Sequence, residues 1–100
     1  MAGSDVTSLT AHAAVVTDRP ERFAKQLVSH LGRKAEVRQE PEGSRLVIGD
    51  ASCLVAPGSG VLELHASATS EDGLALVEQV VGGHLVRFGE KDELVVTWVR

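Results

Sequence analysis

The chain is poor in the residues that most often advertise chemistry. Its one cysteine, Cys53, excludes an internal disulfide framework and leaves no second thiolate for a zinc knuckle. Aromatic residues are equally scarce: Phe23, Phe88 and Trp98 are all there are, with no tyrosine. Each of the three sits on an apolar stripe, which leaves no platform on which nucleic-acid bases could stack. Basic charge is also short, with Lys+Arg 10 against Asp+Glu 14 and a net charge of -4. That balance argues against a protein that tracks a phosphate backbone. No apolar run approaches the ~20 residues that a membrane helix needs. Residues 1–8 lack the basic start and apolar stretch of a signal peptide. The expectation is a cytoplasmic protein with neither nucleic acid nor membrane as partner.

What is present is the composition of one globular domain, with 43% hydrophobic residues in 100, long enough to build a core without covalent staples. The small, polar start MAGSDVTS over 1–8 reads as a flexible arm, and 9–100 as a single α+β domain. In Leu9 to Val16, alternation places Leu9, Ala11, Ala13 and Val15 on one side of a strand. A helix follows: Pro20 suits its first turn, Asp18 can cap it and Glu21 stands three residues on. Its stripe is Phe23, Ala24, Leu27, Val28 and Leu31, opposite Glu21, Lys25 and Ser29, and Gly32 offers a left-handed stop.

Four short strand patterns come next, KAEVRQE, RLVIG, ASCLVA and VLELHAS, punctuated by PEG, Gly49-Asp50 and PGSG. In the last of them Leu62, Leu64 and Ala66 point one way and Glu63 and His65 the other. A second helix starts near Ser70, with Glu71 and Asp72 in its first turn. Leu74, Val77, Val81, Leu85 and Phe88 form its stripe. Gly82-Gly83 interrupts that helix at about 1 kcal/mol per glycine relative to alanine, so either another element approaches closely there or the helix kinks. A turn through GEKD leads to a closing strand, ELVVTWVR, with Leu94, Val96 and Trp98 on one face.

The order β-α-β-β-β-β-α-β, with hairpin-length connections in its middle, predicts a two-layer sandwich in which two helices pack on one face of a mainly antiparallel sheet. The other face then stays bare. Val95, Thr97 and Val99, with Val61 and, register permitting, Val47, fall on it, and a contiguous apolar patch there predicts self-association or a protein partner.

The histidines are the chief chemical candidates. His84 lies roughly 40° from the centre of the second helix's stripe by the helical period, so it faces the sheet either as a ligand-binding imidazole or as a core histidine satisfied by a backbone carbonyl. His30 aligns with Arg22 and Gln26 along one edge of the first helix. That edge reads either as a groove for an anionic or catechol-like ligand or, for His30, as a cation complementing the helix C-terminus. His12 and His65 fall on the bare face and would meet if their strands are neighbours. No spacing supplies the three or four ligands of a zinc site, so no metal and no cofactor is expected. No serine stands in a nucleophile elbow, GSG at 58–60 reads as a turn, and Cys53 reads as a small buried hydrophobe. Catalysis therefore has no positive support.

Two stretches carry a family resemblance: Val16-Thr17-Asp18-Arg19-Pro20-Glu21-Arg22-Phe23 continuing to Gln26-Leu27 and His30, and His84-Leu85-Val86-Arg87-Phe88 followed by Glu93-Leu94 and Trp98. In order and separation they resemble domain-of-unknown-function family 2218, small single-domain bacterial proteins, over about Ala11 to Trp98. The resemblance implies recurrent positions at Thr17, Arg19, Arg22, His30, His84, Arg87, Phe88 and Trp98. It also implies an accessory role in iron-siderophore handling, because such domains occur beside or fused to flavin-dependent ferric reductases. This chain departs from the pattern at Phe23, where a hydroxylated aromatic is common, and at Leu31 and Gly32, where a second aromatic often stands.

Two functions follow as expectations. One is a non-enzymatic interaction module using the bare sheet face. The other is a binder of a siderophore-like small molecule, or a weak enzyme, with a pocket lined by Arg22, His30, His84 and Arg87.

Overall fold

The structure is a computed structural model that describes residues 8–100. The expected arm, apart from Ser8, lies outside the described residues. Five strands, β1 (Leu9–Val16), β2 (Glu36–Glu40), β3 (Gly43–Ile48), β4 (Ala51–Pro57) and β5 (Val61–Ala68), form one antiparallel sheet in the order β1-β5-β4-β3-β2. Helix α1 (Pro20–Leu31) carries the chain from β1 at one edge to β2 at the other. The meander then returns strand by strand to β1, and helix α2 (Glu71–Phe88) closes the layer.

Both helices pack on the same side. Phe23, Ala24, Leu27 and Leu31 of α1 and Leu74, Val77, Val81 and Leu85 of α2 share one core with Ala13, Val15, Leu46, Cys53, Val55, Leu62 and Leu64 of the sheet. The helix stripes and the residues of β1 and β5 are those that the periods predict, while Leu46 and Val55 come from β3 and β4, whose short patterns leave the inward face open; the two-layer α+β arrangement stands as expected.

The helix ends are built differently from the sequence expectation. Asp18 does not cap α1; the N-cap is Arg19, with no side-chain cap. Pro20 has no N–H to satisfy, and the buried Thr17 hydroxyl, accepting from the Arg19 N–H at 3.0 Å, holds the turn into the helix. Gly32 is not left-handed either, with φ -63° and ψ -12°. The helical path simply continues one residue before the chain turns. At α2 the expectation holds, since Ser70 Oγ accepts from the Gly73 N–H at 3.0 Å. A second support was not legible in sequence. Asp50, in the β3–β4 turn, accepts from the hydroxyls of Thr69 at 2.6 Å and Ser70 at 3.1 Å, tying the hairpin to the start of α2.

The closing segment corrects the sequence expectation. It is not a sixth ladder strand: after a 3-10 turn over Glu90–Asp92 it meets β1 only at one bridge, where His12 and Val99 exchange both backbone hydrogen bonds at 2.9 and 2.8 Å. Its path is set instead by side chains held against α2. Leu94 is buried over Gly89, where a Cβ would overlap it, and a Cβ on Gly82 would lie 3.0 Å from Trp98 Nε1. Close approach of Trp98 thus explains Gly82, within an uninterrupted helix. Gly83 faces open space, and nothing in the structure requires glycine there.

Cross-strand register sorts the uncovered face into rows. One row runs Arg38, Arg45, Leu54, His65, His12 and Val99 from edge to edge. Beside it Ser52, Ser67 and Thr10 form a row of hydroxyls, and on the other side stand Glu63 and Ala14. Arg38 pairs with Glu36 at 2.6 Å, Arg45 with Glu40 at 2.6 Å and His65 with Glu63 at 3.3 Å. Leu54, although on this face, is only 8% exposed, as expected for a leucine flanked in register by the long side chains of Arg45 and His65. Apolar exposure collects instead at the β1 margin, in Val16 at 80%, Val95 at 69% and Val99 at 53%.

Candidate functional site

His30, in the last turn of α1, and His84, in the second half of α2, come together where the two helices meet. Their rings lie 4.9 Å apart at 46°. Phe88, one turn beyond His84, presents its ring edge-on to His30 at 5.3 Å and completes a cluster of three rings. His84 Nδ1 lies 2.6 Å from the carbonyl oxygen of Val80. A carbonyl can only accept, so Nδ1 carries the proton and Nε2 remains the ring's free nitrogen. One ring nitrogen is satisfied inside the helix by a backbone carbonyl, the partner that the core-histidine reading names.

The ring pair opens into a cavity of about 460 Å³. Its apolar lining comes from Leu31, Ala35, Ile48 and Val80; its polar lining comes from His30, His84, Arg33 and Lys34. The size is that of a site for one small organic molecule. Arg33 and Lys34 are exposed and give the mouth two positive charges with no carboxylate among the lining residues. An apolar bed with imidazoles at one side and cations at the rim suits a flat anion, whose ring lies on aliphatic carbon while its charge meets guanidinium and ammonium.

Arg22 lines a shallow groove on the exposed side of α1 with Glu21, Lys25, Gln26 and Ser29, and His30 is not among its lining residues. Arg87 is exposed and does not line the cavity. The structure therefore brings together two of the four sequence candidates and leaves the two arginines outside. The cations at the mouth, Arg33 and Lys34, were missed because Gly-Arg-Lys after a helix stop reads as an ordinary solvated turn. A pair of like charges directly following a helix that carries a terminal histidine was the one available signal.

The other histidine pair lies on the uncovered face. His12 and His65 are register partners on β1 and β5, their rings stacked 6.4 Å apart. Among the described residues no three His, Cys, Asp or Glu side chains converge as a metal cage would need. Cys53 is buried, and desolvation pushes its thiol up to about 12, which keeps it protonated and unreactive. Bidentate hydrogen bonding from Arg45 holds the Glu40 carboxyl below its ordinary value and raises the guanidinium in turn. Among the described residues, no helix is long and apolar enough to cross a membrane.

Of the recurrent positions that the resemblance implies, His30, His84 and Phe88 are the three clustered rings, Thr17 holds the start of α1, and Trp98 fills the space over Gly82. No curated protein matches the chain. The protein PA4090 of Pseudomonas aeruginosa, solved by NMR, is similar in structure with a TM-score of 0.74 and 28% sequence identity, over 90% of this chain and 94% of that one. Residues 12–99 match the bacterial family described as "Uncharacterized protein conserved in bacteria (DUF2218)", and the chain belongs to that family.

Proposed function

We propose that the protein is a cytoplasmic, non-enzymatic binding module that takes a small aromatic anion in the cleft between the end of α1 and α2. The observation that carries this reading is the imidazole pair of His30 and His84, 4.9 Å apart, lining an apolar-floored cavity with Arg33 and Lys34 at its mouth. Catecholates and hydroxybenzoates have the required chemistry, a flat ring with anionic oxygens on one side. Such groups are the iron-binding ends of many siderophores, so the accessory role that the family resemblance implies becomes specific: the cleft would hold a catecholate fragment, free or as its ferric complex. The sole cysteine, buried and unpaired, suits a reducing compartment.

Calorimetric titration with 2,3-dihydroxybenzoate and with its ferric complex tests the reading. Saturable heat is expected from the wild type, with affinity reduced about tenfold in His30→Ala, the cost of one charge-assisted hydrogen bond. His30 is exposed, so that variant folds. Absence of heat from the wild type with both probes removes the proposal.

A second reading rests on a different observation, the collection of exposed Val16, Val95 and Val99 along one margin. Beside them the closing segment has a strand neighbour on its inner side alone, among the described residues. A free edge of extended chain flanked by valines suits a second copy, tail against tail about a two-fold axis, because antiparallel pairing extends both sheets at once. Analytical ultracentrifugation is expected to show a dimer that Val95→Lys converts to monomer. A wild type that stays monomeric at high concentration overturns it.

A further inference from the structure

The uncovered face carries a second concavity whose chemistry differs from that of the cleft. A hollow of about 300 Å³ lies across β3, β5 and β1, with Thr10, His12, Arg45, His65 and Ser67 as its polar side chains. Every one of these can donate a hydrogen bond and none is a carboxylate. Two nearby acids engage members of this set from the side: Glu40 holds Arg45 through Nε and Nη2 from the β2 side, and Glu63 meets His65 Nε2 at 3.3 Å, which leaves the remaining guanidinium protons and His65 Nδ1 to face a ligand. A neighbouring hollow shares Arg45 and Ser67 and extends the donor set to Arg38 and Ser52. Its one carboxylate, Asp50, accepts from Thr69 and Ser70.

Strand register makes this set possible. The guanidinium and imidazole row lies immediately beside the hydroxyl row, so donors come from two adjacent rows on neighbouring strands. Ser52 Oγ accepts from Arg45 Nη1 at 3.2 Å and lies 3.3 Å from Ser67 Oγ, which links the rows through hydroxyls whose protons can rotate toward a ligand. Glu40 grips Arg45 through Nε and Nη2 and so orients the guanidinium without using all of its five protons.

We propose that this hollow binds a tetrahedral oxyanion, a sulfate or a phosphate group, held by Arg45, Ser67, Thr10 and the His12/His65 pair. The site is independent of the cleft and lies on the opposite side of the sheet. The charged and titratable groups around the hollow are His12 on β1, His65 and Glu63 on β5, Arg45 on β3, and Glu36, Arg38 and Glu40 on β2.

Amide chemical shifts of the full chain, followed during titration with sodium sulfate, test the site. Saturable shifts are expected at 10–12, 45 and 65–67. Affinity should fall about tenfold in Ser67→Ala and in His12→Leu, each removing one hydrogen bond to a charged ligand. Glycerol phosphate and vesicles of phosphatidylcholine with phosphatidic acid, run in parallel, separate a free phosphate ester from a lipid headgroup as the source. Shifts scattered over exposed lysines and arginines, shifts confined to 30–35 and 80–84, or shifts untouched by both substitutions would overturn the proposal. Because the responses map to opposite faces, failure here leaves the cleft reading standing, and failure of the cleft leaves this one standing.

Discussion

On its covered side the sheet presents Ala13, Val15, Leu62 and Leu64 to two helices at 2% exposure or less. One residue along the same strands, His12, Ala14, Val16, Glu63 and His65 stand exposed. The contrast extends to the two histidine pairs. His30 and His84 sit at the rim of an apolar bed with one imidazole nitrogen already committed to the Val80 carbonyl, whereas His12 and His65 sit among hydroxyls and guanidiniums with a glutamate beside them. The same side chain thus meets an apolar bed in one setting and polar donors in the other, which is why the two readings proposed above assign the pairs different ligands.

The largest expected effect belongs to the covered side. Leu64→Ala, at a fully buried position, should lower unfolding free energy by ~2–5 kcal/mol through lost transfer energy and a residual cavity. Val16→Ala on the reverse should change it by less than about 0.5 kcal/mol. Chemical denaturation of both variants measures the contrast, and similar losses would show that the uncovered face is packed against something.

Smaller effects separate the two adjacent glycines of α2. Gly82→Leu forces Trp98 out of its seat against the helix and should destabilise by ~1–3 kcal/mol, the range for overpacking, with a red-shifted emission from the only tryptophan. Gly83→Ala, into open space, should stabilise by ~0.5–1 kcal/mol through helix propensity. Equal signs for the two would contradict the close approach of Trp98.

At the start of α2, Ser70→Ala should cost ~1 kcal/mol, the value of a lost N-cap. Asp50 adds a dependence on pH. Hydrogen bonds from Thr69 and Ser70 hold its carboxyl below the ordinary value of 3.8. A carboxyl depressed in the folded state stabilises fully above its unfolded value, and that contribution fades as pH falls through the lowered one. Acid unfolding followed by circular dichroism should therefore lose one increment of pH sensitivity below pH 3.8 in Asp50→Asn, with the remainder of the curve unchanged.

Much of the fold was legible because it rests on period. Leu62, Leu64 and Ala66 alternate, the stripe from Phe23 to Leu31 repeats every three or four residues, and Ser70 stands where an N-cap should. What escaped depends on residues distant in sequence. Asp18 has capping chemistry, but Arg19 takes the N-cap position and the Thr17 hydroxyl holds the turn before it. The doubled glycine could not be assigned until Trp98 was seen to lie over one member of the pair. The closing segment alternates like a strand, yet Leu94 and Trp98 tie it to α2 and limit its ladder to Val99. Of the candidate site, His30 and His84 were visible as helix-flank histidines. Arg33 and Lys34 were not, because only the return of β3 toward α2 makes their turn the mouth of a cavity.

The account depends most on the cleft, and an amide shift map with 2,3-dihydroxybenzoate tests it directly. Saturable shifts at Leu31, Ala35, Ile48, Val80 and His84, diminished in His30→Ala, are the predicted result. Shifts restricted to the uncovered sheet face, or none at all, would contradict it.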